Sequence, residues 1–361
     1  MKKKNFDFSN KTVLVTGVAG FIGANLVMRI LKEQKDCKII GIDNMNDYYD
    51  VSIKEYRLNE IKKKDEKNQF CFIKGSIADA SLMKKIFSDY EPAIVINLAA
   101  QAGVRYSIQN PDVYIESNLI GFYNILEACR HSSENGKKGV EHLVFASSSS
   151  VYGMNQKIPY STEDKTDQPV SLYAATKKSN ELMAHAYTKL YNIPSTGLRF
   201  FTVYGPAGRP DMAYFSFTNK LLKKEKIQIF NYGNCERDFT YIDDIVEGIY
   251  RVCQAAPEKK VGEDGLPVPP FAVYNIGNHQ PQNLMEFVET LQQELIHAGV
   301  LSKEHDLKSS YELVPMQPGD VPVTYADTTP LREDFGFQPS TSLKEGLSKF
   351  ASWYHEFYQI P

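Results

Sequence analysis

Short apolar runs alternate along the chain with segments whose apolar residues recur at helical spacing. The run TVLVTG at 12–17 precedes a segment, 24–34, in which Val27, Ile30 and Leu31 share one helical face. Further apolar runs, several without polar alternation, are KIIGID, FCFIKG, AIVINLAA, HLVFASSS and PSTGLRFF. Runs of this kind are typical of strands that helices cover on both faces. The pattern therefore predicts an α/β fold with a Rossmann-type, doubly wound parallel sheet.

Two long helical patterns and a change of texture mark the later part of the chain. Apolar residues recur at helical spacing over 111–131 and again over 172–190. After Tyr204 the chain becomes turn-rich, first in YGPAGRPDM and again in the Gly- and Pro-rich stretch 262–270. We therefore expect a second, smaller and more irregular region to begin after Tyr204.

Composition and charge narrow the class of protein. The 361 residues are 42% hydrophobic and 24% charged, which suits about two domains with a sizeable core. A formal net charge of -3 and a pI near 6.2 give no basic excess, so we expect neither nucleic acid nor an anionic membrane as a partner. The sequence also has no apolar run that approaches the length of a membrane span.

Cysteine and histidine usage points to a metal-free protein of a reducing compartment. The five cysteines are scattered and form no Cys-x-x-Cys pair. Near the start of the chain, Asp7 and Asn10 interrupt what would have to be the apolar core of a signal peptide. We therefore expect the protein in the cytoplasm. His131, His142 and His185 show no ligand spacing to one another, and no metal is expected.

The stretch TGVAGFIG places Gly17, Gly20 and Gly23 between the first predicted strand and the first predicted helix. Glycines at these positions allow a tight turn, a close approach of pyrophosphate to the backbone, and packing of helix on strand. Three glycines by themselves could equally form a structural turn. Here Asp43 follows in IIGIDN at the end of the second strand, where a carboxylate would hold the adenosine ribose hydroxyls and repel a 2′-phosphate. The pattern therefore favours NAD as the cofactor.

The stretch SLYAATKKSNE places Tyr173 and Lys177 four residues apart, on one face of a helix. Such a pair occurs by chance on many helices, so its meaning depends on its neighbours. If the serine run in VFASSSSVYG ends a strand on the cofactor side, Ser148 or a neighbour could hydrogen-bond the oxygen that Tyr173 deprotonates. The Lys177 ammonium and a positive nicotinamide would favour the tyrosinate and lower the pKa of Tyr173 towards neutrality.

These motifs, together with longer stretches, carry a resemblance that covers almost the whole chain. The chain resembles the extended short-chain dehydrogenase/reductases that act on nucleotide sugars, and within them the UDP-glucuronate 4-epimerases. The stretches that carry the second resemblance are DNMNDYYDVSIKEYRL, NLAAQAGVRYSIQNPDVYIESNLIGFYNILEACR, SLYAATKKSNELMAHAY, LRFFTVYGPAGRPDMA, RDFTYIDDIVEGI and MQPGDVPVTYAD.

The resemblance implies a catalytic set and a cofactor-binding set. The catalytic residues would be Ser148, Tyr173 and Lys177, of which the last two would also contact NAD. The remaining cofactor contacts would be Gly17, Gly20, Phe21, Ile22, Gly23, Asp43, Asn44, Ser76, Ile77, Leu98, Ala99, Ala100 and Gln101. One departure is Ser76, which stands where many relatives have an Asp near the adenine, and this puts adenine affinity in question.

The resemblance also implies a domain division. Residues 1–204 would form the NAD-binding Rossmann domain, which would also receive segments near 238–254 and 271–280. Residues 205–361 would form mainly an interleaved, smaller domain that binds the nucleotide sugar. A homodimer through a four-helix bundle of 111–131 and 172–190 would follow from the family, although the apolar faces of both helices could equally be buried within one chain.

Ser149 and Ser150 decide which reaction we expect. Relatives that eliminate water carry Asp-Glu in this stretch, and uronate decarboxylases carry a Glu before VYG, whereas this chain has two serines. Without an acid there to protonate a leaving hydroxyl or an enol carbon, the site supports oxidation and re-reduction only. We therefore expect reversible C4 epimerisation of UDP-glucuronate to UDP-galacturonate through a 4-keto intermediate, with bound NAD as transient hydride acceptor.

The resemblance also implies a set of residues that contact the substrate. They would be Arg105, Ser149, Ser150, Thr202, Arg209 and Arg237. Thr202 and Arg209 would lie near the uronate carboxylate, and Arg237 would bind the diphosphate. Arg105 could help in the same pocket or cap a helix, and Arg209 could be a surface arginine in a turn.

Two other functions remain open at this point. The same chemistry could act on UDP-glucose or UDP-galactose, or on a UDP-N-acetylhexosamine or its uronate. A non-catalytic scaffold that binds dinucleotide is the alternative of another class, and the joint presence of Ser148, Tyr173 and Lys177 argues against it. A uronate product would serve the synthesis of a cell-surface polysaccharide.

Overall fold

A computed structural model describes residues 1–262, 264–317 and 320–360 of the chain. The strands of this described part, in chain order, are β1 (Thr12–Thr16), β2 (Lys38–Asp43), β3 (Phe70–Lys74), β4 (Ile94–Asn97), β5 (His142–Ser148), β6 (Ser195–Phe200), β7 (Thr202–Tyr204), β8 (Ile227–Ile229), β9 (Glu236–Tyr241), β10 (Lys260–Val261), β11 (Pro267–Val268), β12 (Phe271–Ile276), β13 (Pro281–Asn283) and β14 (Tyr311–Leu313).

The helices of the same part separate most of these strands. They are α1 (Phe21–Glu33), α2 (Val51–Lys64), α3 (Ala80–Tyr90), α4 (Tyr106–Gln109), α5 (Asp112–Tyr114), α6 (Gly121–His131), α7 (Leu172–Tyr191), α8 (Ala213–Leu222), α9 (Ile242–Cys253), α10 (Leu284–His297), α11 (Thr329–Phe335) and α12 (Leu343–Tyr358). The helical pattern at 111–131 is interrupted by a π-helical segment, Ile115–Ile120, between α5 and α6. Hydrophobic periodicity does not reveal such a local change of hydrogen bonding.

The central sheet has seven strands within the described residues, all parallel, in the order β12-β6-β5-β4-β1-β2-β3. Successive residues of β1 alternate between two buried clusters: Val13 and Val15 join one, and Leu14 joins the other. All three side chains are fully buried. Both faces of the sheet are therefore covered, which explains why its strands read as continuous apolar runs. The doubly wound parallel sheet that the sequence predicts is confirmed.

The order of strands places a crevice at the carboxyl ends of β1 and β4. β1 pairs with β2 on one side and with β4 on the other. The chain runs from β1 to β2 and β3 on one side and then crosses to β4 on the other side of β1. The loops that follow β1 and β4 therefore separate and leave room for a ligand. This is the edge of the sheet at which the predicted cofactor residues follow their strands.

The chain after Tyr204 contributes to two bodies of structure. β12 pairs with β6 in the central sheet, and α9 packs against α1. Other strands form small sheets apart from it: β7, β9 and β13 make one, and β8 and β14 make another. The division of the chain at residue 204 stays a prediction. In the described part of the chain, no helix is long and apolar enough to cross a membrane.

Candidate active site

The loop between β1 and α1 is built on close backbone contacts. Gly17 has a φ of +69°, and a Cβ there would lie 2.8 Å from the Ala99 nitrogen. A Cβ on Gly23 would lie 2.3 Å from the Gly17 carbonyl oxygen. Gly20 precedes α1 and brings no side chain to its N-terminus. The first N–H groups of α1 therefore face the crevice without a side-chain cap, which suits a pyrophosphate.

Asp43 ends β2 at the rim of this loop. Its two carboxylate oxygens accept from the backbone nitrogens of Ala19, at 3.1 Å, and Met45, at 2.9 Å. The Lys54 ammonium lies 3.9 Å from the same carboxylate. The carboxylate is therefore held in place, and an oriented carboxylate can accept from ribose hydroxyls but repels a phosphate.

The segment after β4 forms the opposite wall. The Thr16 hydroxyl donates to Asn97 at 2.7 Å and accepts from the Ala99 nitrogen at 3.0 Å, which links the ends of β1 and β4. One residue of the π-helical segment, Asn118, accepts from the Gln101 nitrogen at 2.8 Å and donates to the Gln101 carbonyl at 3.0 Å. Residues 98–101 are thus fixed from both sides.

The three predicted catalytic residues come from two adjacent elements. Ser148 is the last residue of β5, and its hydroxyl accepts from the Ser150 nitrogen at 3.1 Å. Tyr173 and Lys177 lie on α7, whose first turn is capped by Ser171, which accepts from the Ala174 nitrogen. Because α7 packs against β5, both side chains reach the carboxyl end of the sheet.

Burial shifts the proton affinity of both α7 residues. Burial lowers the pKa of Lys177 to about 8, and the Glu181 carboxylate opposes this shift. Burial raises the pKa of Tyr173, while the Ser148 hydroxyl and the Arg209 charge lower it without cancelling the rise. The protein groups therefore do not by themselves give the lowered Tyr173 pKa that we expected from the sequence. The expectation also counted on the positive nicotinamide, whose charge would add to that of Arg209.

Arg209 lies in the turn after β7 and faces the same space. Its guanidinium forms a two-pronged ion pair with Asp211, which also accepts from the Tyr48 hydroxyl at 3.3 Å. The positive charge of Arg209 lowers the pKa of the Tyr173 phenol. Burial lowers the pKa of Arg209, but the pairing with Asp211 outweighs it, so the pKa is raised overall and the guanidinium stays charged.

One cavity brings most of the predicted residues together. Its lining includes every predicted cofactor contact and all three predicted catalytic residues, and of the predicted substrate residues it includes Arg209. Ser76 lies in this lining, and its hydroxyl accepts from the Ala78 nitrogen at 3.1 Å. Where many relatives have an Asp near the adenine, this chain therefore has a hydroxyl in the cavity wall.

The other predicted substrate residues lie outside this lining. Ser149 and Ser150 begin the short 3₁₀ turn after β5, and Thr202 begins β7, next to the lining residues Phe201 and Val203. Arg105 and Arg237 form a separate pair that is bridged by Asp320. Arg237 donates to Asp320 at 2.7 Å, and the Arg105 guanidinium lies 4.0 Å from the same carboxylate.

Sequence reasoning missed several lining residues on the loop after β2 and on α2. They include Asn46, Tyr48, Tyr49 and Lys54. Lys54 is 4% exposed and donates to Asn46 at 2.7 Å, so it fixes this loop. The signal was in the helical pattern: Lys54 and Arg57 fall on the face of α2 that buries Ile53, Leu58 and Ile61. Two basic residues on an apolar face indicate a partner to be satisfied.

The described geometry fits a dinucleotide. A glycine loop that side chains would fill, an uncapped helix N-terminus, and a fixed carboxylate at the end of β2 line one wall. Next to them stand Ser148, Tyr173 and Lys177. A sheet of this topology with this set of residues defines a dehydrogenase/reductase of the short-chain type.

Comparison with known proteins gives the family. Residues 14–350 match the model of the family described as GDP-mannose 4,6 dehydratase. The chain is 50% identical to Protein CapI of Staphylococcus aureus over 353 residues, which cover 96% of this chain and 99% of that protein. It is 46% identical to UDP-glucuronate 4-epimerase 4 of Arabidopsis thaliana over 353 residues, which cover 96% of this chain and 76% of that protein.

A solved structure agrees with these relatives. The UDP-glucuronic acid 4-epimerase from Bacillus cereus, in complex with UDP-glucuronic acid and NAD, superposes with a TM-score of 0.80 at 29% identity, covering 96% of this chain and 100% of that one. The chain belongs to the family of the matched model, within the extended short-chain dehydrogenase/reductases.

Proposed function

We propose that this chain is an NAD-dependent 4-epimerase that interconverts UDP-glucuronate and UDP-galacturonate. The observation that carries the proposal is the single cavity that joins the dinucleotide cradle to Ser148, Tyr173, Lys177 and Arg209. The similarity to UDP-glucuronate 4-epimerases of Arabidopsis thaliana, over 96% of this chain and 76% of those proteins, supports the choice of substrate.

NAD would lie along the lining from Gly17 to Gln101, and when bound it supplies a reversible hydride acceptor. The backbone of Gly17, Gly20 and Gly23 would hold the pyrophosphate. Asp43 would accept from the adenosine ribose hydroxyls, and this favours NAD over its 2′-phosphorylated form.

Tyr173 would exchange the proton of the C4 hydroxyl. As tyrosinate it would remove this proton when C4 is oxidised and return it when the ketone is reduced from the opposite face. The Ser148 hydroxyl, which lowers the pKa of the Tyr173 phenol, would hydrogen-bond the same sugar oxygen. The buried Lys177 ammonium would stabilise the tyrosinate because the two charges are opposite.

The residues around the sugar would limit the reaction to oxidation and re-reduction. Ser149 and Ser150 would stand where relatives that eliminate water or carbon dioxide carry an acid to protonate a leaving group or an enol carbon. Arg209 and Thr202 would hold the uronate carboxylate. A fixed carboxylate matters because the 4-keto intermediate of a uronate is a β-keto acid that can lose carbon dioxide.

The pair formed by Arg105 and Arg237 would bind the diphosphate. In the structure these two guanidinium groups share the Asp320 carboxylate, so a diphosphate would compete with Asp320 for them. Arg237 also donates to the carbonyls of Glu236 and Pro322, both at 3.0 Å, and these bonds fix its orientation.

The test is proton NMR of the sugar anomeric signals after purified protein is mixed with UDP-glucuronate. Appearance of UDP-galacturonate without added NAD is the expected result. A UDP-pentose product would contradict the argument from Ser149 and Ser150. If only UDP-glucose or a UDP-N-acetylhexosamine is turned over, that sugar nucleotide is the substrate instead. If the protein shows neither turnover nor bound dinucleotide, the proposal that it is an NAD-dependent enzyme is wrong.

We also propose a homodimer through the helices at 112–131 and α7. These neighbouring helices carry exposed apolar side chains, among them Ile120, Tyr123, Leu182 and Leu190, which are 48%, 46%, 60% and 68% exposed. A second copy would cover them. Analytical ultracentrifugation should give about twice the chain mass of 40.9 kDa, and Leu182→Glu should lower it.

The cytoplasm is the compartment we propose, with a role in the supply of uronate for a cell-surface polysaccharide. The five cysteines are unpaired, and four of them are buried. A chain with this pattern of thiols suits a reducing compartment. Cell fractionation with an antibody against the chain tests the location.

A further inference from the structure

Arg57 is a buried guanidinium on α2 that lies beside the cavity without lining it. Its side chain is 1% exposed. It donates to the Ala19 carbonyl at 2.9 Å, to the Ala207 and Gly208 carbonyls, both at 2.8 Å, and to the Tyr49 hydroxyl at 2.7 Å. All four acceptors are uncharged. The contacts therefore depend on the planar fork of donors and not on an opposite charge.

The four acceptors belong to three separate segments that form the walls of the cavity. Ala19 lies in the glycine loop, between Gly17 and Gly20. Tyr49 is itself a lining residue and lies on the loop after β2. Ala207 and Gly208 immediately precede Arg209 in the turn after β7. One side chain thus joins the glycine loop, the loop after β2 and the turn that carries Arg209.

The turn that carries Arg209 requires such support. Ala207 adopts a φ of +51°, which is unfavourable for a residue with a Cβ. Two of the four Arg57 hydrogen bonds end on this residue and on the next one. A second link crosses the same gap, because the Tyr48 hydroxyl donates to Asp211. Arg57 therefore contacts the backbone immediately before Arg209, and Tyr48 contacts the partner of the Arg209 guanidinium.

We propose that Arg57 is a positioning residue that holds the cofactor cavity closed and couples retention of the dinucleotide to the placement of Arg209. This inference rests on the proposed function for the identity of the dinucleotide. A lysine at position 57 keeps the charge but presents donors from one point, so it cannot reach the three segments together. Loss of the fork would let the glycine loop, the loop after β2 and the turn that carries Arg209 move apart.

The test compares Arg57→Lys with Arg251→Lys in the full chain. Arg251 is a matched control because its guanidinium also donates to two backbone carbonyls, those of Phe335 and Gly336, and lies outside the cavity lining. The primary measurement is the dissociation rate of NADH, followed by its fluorescence in the absence of sugar. We expect about tenfold faster release from Arg57→Lys, since several hydrogen bonds are lost, and an unchanged rate for Arg251→Lys.

A second readout separates positioning from loss of the fold. In Arg57→Lys the KM for UDP-glucuronate should rise more than kcat falls, because Arg209 is displaced while Ser148, Tyr173 and Lys177 stay in place. If Arg57→Lys does not fold, Tyr49→Phe removes a single acceptor, and a smaller increase of NADH release is expected from it.

Equal NADH release rates from the folded Arg57 variant and the wild type would overturn the inference, as would an equal rate from Tyr49→Phe where the Arg57 variant does not fold. Failure of the wild type itself to bind NADH would instead overturn the proposed function.

Discussion

The hydroxyl of Ser147 donates to the Glu181 carboxylate at 2.7 Å, and this bond ties β5 to α7 just beneath the candidate catalytic residues. Ser147 precedes Ser148 on β5, and Glu181 follows Lys177 by four residues on α7. Arg199 on β6 completes the cluster with two hydrogen bonds to the same carboxylate, at 2.8 and 2.9 Å. The spacing of Ser148 from Tyr173 and Lys177 thus depends on a buried ion pair.

Replacement of Glu181 by Gln should act on stability and on pH dependence. Glu181 and Arg199 are both 3% exposed, so the variant leaves a buried guanidinium without its counter-charge. The free energy of unfolding should therefore fall by about 3–5 kcal/mol. The Glu181 carboxylate raises the pKa of Lys177 against the effect of burial, which lowers it to about 8. Without that carboxylate the pKa of Lys177 should fall further, and the alkaline limb of kcat/KM should move to lower pH.

Chemical denaturation and a pH–rate profile measure the two effects. The matched control is Glu345→Gln, which removes an exposed partner of Lys349. It should change stability by less than about 1 kcal/mol and leave the alkaline limb in place. An unchanged limb in Glu181→Gln would show that Lys177 does not depend on this carboxylate.

Replacement of Tyr173 by Phe tests the acid–base assignment. The variant keeps the ring that packs edge-on against Tyr114 and removes only the hydroxyl. Turnover of UDP-glucuronate should fall by about 10²–10⁴-fold, while NADH binding stays within about threefold of the wild type. Single-turnover kinetics measure the loss, and full turnover in the variant would rule out Tyr173 as the catalytic base.

Six of the seven strands of the central sheet, β1 to β6, could be predicted from the sequence because they are short apolar runs and helical patterns separate most of them. The apolar runs did not include the seventh strand, β12, which follows the turn-rich stretch 262–270. The cofactor cradle could be predicted for a related reason, since residues that follow parallel strands meet at one edge of the sheet. Gly17, Asp43 and Ser148 follow or end such strands, and all three line the cavity.

The partners of Arg57 and of Asp320 were beyond reach of the sequence for physical reasons. Arg57 acts through backbone carbonyls up to 151 residues away, and a carbonyl leaves no signature in a sequence. Asp320 joins Arg237 and Arg105 across distances of 83 and 215 positions. Pairs of this kind are set by how the later segments fold back on the sheet, and periodicity does not encode that arrangement.

Replacement of Gly23 by Ala should abolish dinucleotide binding. The added Cβ would lie 2.3 Å from the Gly17 carbonyl oxygen, which is backbone and cannot rotate away. The loop would have to shift away from α1, and with it the donors expected for the pyrophosphate. Gly248→Ala on α9 is the matched control, because its nearest neighbour is a side-chain atom at 3.3 Å. NADH titration should show a loss for the first variant only; comparable affinity in both would mean that the loop does not hold the dinucleotide.

The buried imidazole of His142 should make stability depend on pH. Burial lowers its pKa from 6.5 to about 3, and its ring donates to or accepts from Thr196 at 2.9 Å. The folded chain therefore binds this proton less readily than the unfolded chain does. Its contribution to stability is complete above pH 6.5 and is lost as the pH falls from 6.5 towards 3. At about pH 5.5 the loss from this group should be about 1.4 kcal/mol.

The difference between wild type and His142→Gln isolates this group from the carboxylates, which titrate in both proteins. The variant has a neutral amide at all pH values, so its free energy of unfolding should fall less steeply between about pH 7.5 and 5.5, by the same 1.4 kcal/mol or so. His185→Gln is the control, because the His185 side chain is exposed. Parallel curves for the wild type and His142→Gln would mean that His142 takes up its proton in the folded protein, and hence that the start of β5 opens to water near pH 6.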